Sequence, residues 1–216
     1  MTTPSAGTRI LPAGNRALLV ELESEPFVVS LTERLRRTPV PGVEDVLPAA
    51  RTVLVTTTPR TDLDEVRRAL RTMTVDLEVH EDSRATESEP VTIPVRYDGA
   101  DLADVADHLR MSREDVIAAH TAATWRCVFI GFAPGFAYLS CGDDRLTVPR
   151  RAQSRTVVPA GSVALAGGYG AVYPRSSPGG WQIIGTTDSP MWNLDANPPA
   201  LLQPGRRVRF VDEETL

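Results

Sequence analysis

A histidine, a cluster of arginines and a glycine-rich aromatic loop are the parts of this chain whose residue types and spacing could do chemistry. His120 falls at the end of a predicted helix. An imidazole there could give or take a proton near neutral pH, and the same position equally suits hydrogen bonding to the helix's last carbonyls. Arg150, Arg151 and Arg155 form the densest basic cluster of an acidic protein. A guanidinium fork holds a carboxylate or phosphoryl oxygen bidentately, which suits an amino-acid-like or phosphorylated ligand. A solvated turn or a salt bridge is the plainer reading, and only one of the three is expected to point inward. Gly161-Ser162 and Gly167-Gly168 allow close backbone approach, so their amides could bind an anion, although simple turns need the same residues. Ser162 lacks the G-x-S-x-G surroundings of a nucleophile elbow. Gln182, after Gly179-Gly180-Trp181, could hydrogen-bond an amide, while Trp181 suits a core.

The run Trp125–Ile130 reads as a buried strand and leads into Gly131-Phe132-Ala133-Pro134-Gly135-Phe136-Ala137-Tyr138-Leu139. Gly131 and Gly135 admit backbone angles closed to other residues, and Pro134 removes a donor. Phe132, Phe136 and Tyr138 place apolar rings on a turn that would otherwise be polar. This combination predicts a pocket wall built from Phe132, Pro134, Gly135 and Phe136, with His120 projecting into the same cleft.

Composition removes several mechanisms. All 23 basic residues are arginine, so a Walker A loop, Schiff-base chemistry, a Ser-Lys dyad and a covalent biotin on this chain are all excluded for want of an amine. A formal charge of -5 leaves no basic excess to neutralise nucleic-acid phosphates. No apolar run is long enough to span a bilayer, and the first residues lack the basic and apolar regions of a secretion signal, so a cytoplasmic protein is expected. Cys127 and Cys141 suit a reducing compartment, with Cys127 read as a small buried hydrophobe. His80, His108 and His120 match no metal-binding spacing, and no metal is expected.

The elements that must position these residues fall into two groups, an α+β class overall. Ala17–Glu21 reads as a strand, Phe27–Arg37 as a helix, Val43–Leu47 and Thr52–Thr57 as strands, a helix follows from Asp62, and Met73–Val79 alternates as a last strand. That order is a ferredoxin-like βαββαβ unit over residues 1–80. The polar stretch 81–90 predicts a linker. Residues 91–216 then begin with a strand at Val91–Tyr97, followed by helices at Asp101–Leu109 and from the cap Ser112. Short strand signals closed by Gly or Pro follow, at Val148–Ala152 among others, and Arg207–Val211 reads as an edge-like strand. Such spacing predicts a small barrel or sandwich.

The loop motif Gly131–Leu139, with Pro149–Ala152, Val158–Val163, Ala166–Gly168, Ser177–Trp181 and Ile184–Thr186 in this order, closely resembles the family of 5-oxoprolinase B subunits, also called allophanate hydrolase subunit 1 or KipI. The likeness extends to Ile10–Glu21. It implies a cyclophilin-like β-barrel for residues 91–216 and one component of an ATP-dependent 5-oxoprolinase, which converts 5-oxo-L-proline to L-glutamate. The partners it implies are a companion C subunit (KipA-like) and an A subunit, with the isolated chain inactive and a P-loop ATP site, if used, elsewhere. His120 would carry the proton that lactam opening requires. Two other readings stay open: a KipI-type regulator that binds and inhibits a sensor histidine kinase, and a component of a urea carboxylase or allophanate hydrolase system. The chain departs from the family pattern at Tyr169-Gly170-Ala171, where Gln-Thr-Gly is usual, and at Ala137, where proline is usual.

Overall fold

The computed structural model describes residues 8–75, 77 and 89–216. The chain divides into two compact units, Met1–Ser83 and Arg84–Leu216. Residues 81–88 of the expected linker lie outside the described residues.

The first unit contains β1 (Arg9–Pro12), β2 (Ala17–Glu21), α1 (Glu25–Arg37), β3 (Val43–Pro48), β4 (Thr52–Thr57) and α2 (Leu63–Val75). The strands form an antiparallel sheet in the order β1-β2-β4-β3. Alternation along β2 and β4 turns Leu18, Val20, Val53 and Val55 inward, where they cluster with Val28, Leu31 and Leu35 of α1 and Val66 and Leu70 of α2. The strand expected at Met73–Val79 is not formed over its first part. Met73, Thr74 and Val75 continue α2, because Val66, Leu70 and Thr74 recur every four residues on its buried face. The sheet position beside β2 is held instead by β1, which the sequence reading left out. Residues 76 and 78–80 lie outside the described residues.

The second unit contains β5 (Val91–Val95), α3 (Leu102–Leu109), α4 (Arg113–Ala122), β6 (Trp125–Ile130), β7 (Ala137–Ser140), β8 (Arg155–Val158), β9 (Ser162–Ala166), β10 (Tyr169–Val172), β11 (Ser177–Gly179), β12 (Gln182–Thr186) and β13 (Arg207–Asp212). Seven strands form one sheet in the order β12-β9-β10-β7-β6-β13-β5, and β8 pairs with β11 apart from it. The two ends of the large sheet meet where Arg96 and Thr186 exchange backbone hydrogen bonds of 2.8 Å. The result is a nearly closed barrel, filled by Trp125, Cys127, Leu139, Val163, Leu165, Ile184, Val208 and Phe210. β13 is not at an edge as its sequence suggests: it lies between β6, antiparallel, and β5, parallel. Val148–Ala152 belongs to no strand. No helix among the described residues is long and apolar enough to cross a membrane.

The seam between β5 and β12 is tight. Gly99 N–H donates to Ile184 O at 3.2 Å and Asp101 N–H to Ile183 O at 2.9 Å. A Cβ at Gly99 would stand 2.1 Å from the Ile184 carbonyl carbon, a backbone atom that cannot swing aside. Gly99→Ala is expected to destabilise the second unit by about 1–3 kcal/mol and to lower its thermal midpoint by several degrees, of the order of 2–4 °C per kcal/mol. An unchanged midpoint by differential scanning calorimetry would contradict this account of the seam.

Candidate functional site

β6 and β7 present the aromatic loop. The turn between them is held by Gly131 N–H on Phe136 O at 3.2 Å and Phe136 N–H on Ala133 O at 3.0 Å. Phe132 has φ +66° and is 60% exposed, so a large ring stands in solvent on a backbone that L residues rarely adopt. Pro134 is exposed at the tip. Gly135 permits the loop to rest on the chain behind it, since a Cβ there would meet Met191 O and the Trp192 Cβ at 2.9 Å. Phe132 stands edge-on to Phe136 at 5.2 Å.

Phe136 is buried and organises the rings beneath. It meets Tyr138, Tyr173 and Trp181 edge-on at 5.1, 5.3 and 5.6 Å. Tyr138 stacks on Phe129 at 4.3 Å, and Tyr169 stands edge-on to both, at 5.7 Å from Phe129 and 5.9 Å from Tyr138. Tyr169, at the departure from the family pattern, is therefore part of this ring cluster.

Asp101 separates the three arginines. Its carboxylate is almost fully buried, 1% exposed, and accepts from Arg155 Nη1 at 2.8 Å, Arg155 Nη2 at 2.7 Å and Ile183 N–H at 2.7 Å. Arg151 Nη1 donates to it as well. Burial by itself would push the Asp101 carboxyl up; the Arg155 hydrogen bonds, the Ile183 amide and both guanidinium charges outweigh it and hold the group below the usual carboxylate range.

Arg150 is exposed and has no hydrogen-bond or ion-pair partner among the described residues. Its backbone is placed by its neighbours: Arg151 N–H donates to Gly180 O at 2.8 Å, and Gln182 Nε2 donates to Pro149 O at 3.2 Å. Arg150 is thus abreast of Trp181. Burial raises the Tyr138 phenol and the Arg150 charge pulls it partly back. At Tyr173, burial again raises the phenol, while the Trp181 N–H and the Arg150 charge oppose it. Gln182 Oε1 is buried and has no partner among the described residues.

The glycine pairs and Ser162 are occupied by the fold. Gly167 and Gly168, both at positive φ, make the two-residue turn of the β9–β10 hairpin, and Gly167 N–H donates to Val148 O at 2.6 Å. Gly161 N–H donates to Tyr173 O at 2.8 Å. The Ser162 hydroxyl is buried and donates to Pro159 O at 2.9 Å. The amides of Gly161 and Gly167 are therefore committed to carbonyls elsewhere in the fold, which corrects the expectation that they meet an anion.

His120 is not in the cleft. It is fully buried in the barrel core, 4.4 Å from the Phe210 ring and 5.1 Å from Trp125. Its Nδ1 shares a 2.8 Å hydrogen bond with the Tyr97 hydroxyl, its carbonyl accepts from Trp125 Nε1 at 3.1 Å, and Nε2 has no partner among the described residues. Burial lowers its pKa to about 3, so the ring is neutral at any physiological pH. A neutral imidazole sealed among aromatic rings cannot exchange protons with a ligand at the loop, and the catalytic expectation for His120 is corrected accordingly. Among the described residues no group of three or more His, Cys, Asp or Glu could hold a metal.

Residues 8–202 match the family model described as carboxyltransferase domain, subdomain C and D. The chain is 37% identical to the 5-oxoprolinase B subunit of Escherichia coli O157:H7 over 213 residues, covering 93% of this chain and 94% of that protein. This chain belongs to the 5-oxoprolinase B-subunit family. Among solved structures, TTHA0988 matches with a TM-score of 0.73 at 34% identity over 91% of this chain. This family member spans only 40% of the TTHA0988 chain. The Kluyveromyces lactis urea carboxylase matches with a TM-score of 0.73 over 97% of this chain and 22% of its own; at 21% identity that likeness is one of fold.

Asp101, on which Arg151 and Arg155 converge, carries in the sequence only the signal of a helix start. A carboxylate ahead of a helix is the ordinary signal of a cap, and here its side chain makes no cap hydrogen bond; the glycine two residues before it was the available hint of a close backbone approach. Asp101→Asn is expected to cost about 3 kcal/mol, since it leaves two partly buried guanidinium groups without their counter-charge; denaturant unfolding that matches wild type would contradict the clamp. His120 also makes stability pH-dependent. The unfolded chain takes up its proton near pH ~6.5 and the folded chain only near about 3, so the unfolded state binds more protons between these values and stability falls as pH drops below ~6.5, by up to ~1.4 kcal/mol per unit. His120→Phe is expected to remove that part of the slope in denaturant titrations at pH 7, 6 and 5.

Proposed function

We propose that this chain is the B subunit of an ATP-dependent 5-oxoprolinase, hydrolysing 5-oxo-L-proline to L-glutamate together with a companion C subunit and an A subunit. The observation that carries the reading is the 37% identity to a 5-oxoprolinase B subunit over 94% of that protein's length. The site's chemistry supports a shared centre. The loop and its rings offer an apolar wall and Arg150 a cation, while His120 is buried in the core and Asp101 is committed to two arginines, so neither serves there as a general base. Such a half-site binds and orients; groups that move protons would come from the companion protein.

A five-membered lactam resists hydrolysis, and ATP would activate its carbonyl oxygen before water adds. The chain has no lysine for a P-loop, and the Gly161 and Gly167 amides are bonded within the fold. A P-loop ATP site would therefore belong to another subunit. The regulator reading draws on the exposed Phe132 ring, which would serve as a contact patch for a histidine kinase.

Co-expression with candidate C and A subunits is expected to give glutamate formation that needs 5-oxoproline, ATP and this chain together, with none from the chain alone. Glutamate formation that persists when this chain is omitted would overturn the reading. Kinase inhibition in a strain whose oxoproline use survives deletion of this chain would favour the regulator.

A further inference from the structure

The described residues leave one cation of the central arginine cluster uncommitted, and its surroundings indicate what it is for. Arg151 and Arg155 converge on Asp101. Arg150 is held by backbone and by Gln182 beside Trp181, at the rim of the ring cluster that Phe136 organises and Phe132 continues into solvent. We propose that Arg150 is the carboxylate anchor of the site and selects compact acids whose flat, weakly polar body lies against the cluster's exposed ring, Phe132. Gln182 is its positioning residue, acting through Pro149 O.

Three features support this assignment. Arg150 has no carboxylate partner among the described residues, so a ligand anion need not displace one. Its backbone is fixed on both sides, which lowers the ordering cost of binding relative to an arginine on a loose loop. The nearby Asp101 carboxylate, which could otherwise repel a ligand anion, is neutralised by two guanidinium groups. A guanidinium fork then receives both carboxylate oxygens. Naming the acid as 5-oxoproline rests on the proposed function; the anchoring role of Arg150 does not.

The test compares 5-oxoproline with its uncharged carboxamide on the assembled complex and on the full chain. With the complex, Arg150→Gln is expected to raise KM for the acid about 10-fold to 100-fold, the effect of losing a charge-assisted hydrogen bond, with kcat changed little. KM for the carboxamide stays unchanged, and Arg150→Lys recovers part of the loss. Gln182→Ala, as a positioning change, raises KM for the acid less than Arg150→Gln and lowers acid selectivity in the same direction. On the full chain, tryptophan fluorescence titration is expected to show tighter binding of the acid than of the carboxamide, a preference absent in Arg150→Gln. An acid-to-carboxamide preference that survives Arg150→Gln overturns the proposal. If the wild-type complex hydrolyses no lactam, the proposed function fails, and the titration alone decides: an Arg150-dependent preference for the acid upholds the anchor, and equal binding of acid and carboxamide overturns it.

Discussion

A buried carboxylate that satisfies two guanidinium groups and a backbone amide is the contact on which the site depends. Asp101 lies at the start of α3, Arg151 and Arg155 on the far side of the sequence, and Ile183 in β12. Taking these charges out of water is costly, and the cost is offset only because every carboxylate oxygen has charged or amide donors. The same arrangement decides which arginine remains available. Without Asp101, three adjacent cations would compete for any anion; with it, two become structure and Arg150 is left at the aromatic rim.

The division between apolar wall and proton chemistry follows from packing. Phe136 meets edge-on the rings of Tyr138 in β7, Tyr173 just after β10 and Trp181 in the turn before β12. Edge-on packing is favourable for aromatic quadrupoles and gives a rigid surface. Two polar side chains of this unit donate to carbonyls, Ser162 to Pro159 and Gln182 to Pro149. Under the proposed function, a surface of this kind would hold and orient a small molecule.

Much of the architecture was legible in the residues. The strands Trp125–Ile130 and Thr52–Thr57, the helix cap at Ser112 and the barrel-like run of short strands stand where periodicity and turn chemistry put them. Local signals failed where partners distant in sequence decide. Met73–Val75 alternates like a strand yet extends α2, because Thr74 falls one turn beyond Leu70 on the buried face. His120 looks like a site residue by type and position, but its surroundings are set by Tyr97 and Phe210, which no spacing rule connects to it. The arginine cluster was visible as composition; which member has no partner among the described residues depended on an aspartate some fifty positions earlier.

β13 lies inside the sheet, flanked by β5 from the start of its unit and by β6. Until residues 207–212 leave the ribosome, both flanking strands expose unpaired amides and carbonyls, and the Trp125 and Phe210 layer of the core cannot assemble. This unit therefore cannot close before β13 has emerged, and until then its open edges are templates for pairing with a neighbouring nascent chain. The first unit, whose described sheet is complete once β4 has emerged, is free of that delay, so the two halves of the protein mature at different times.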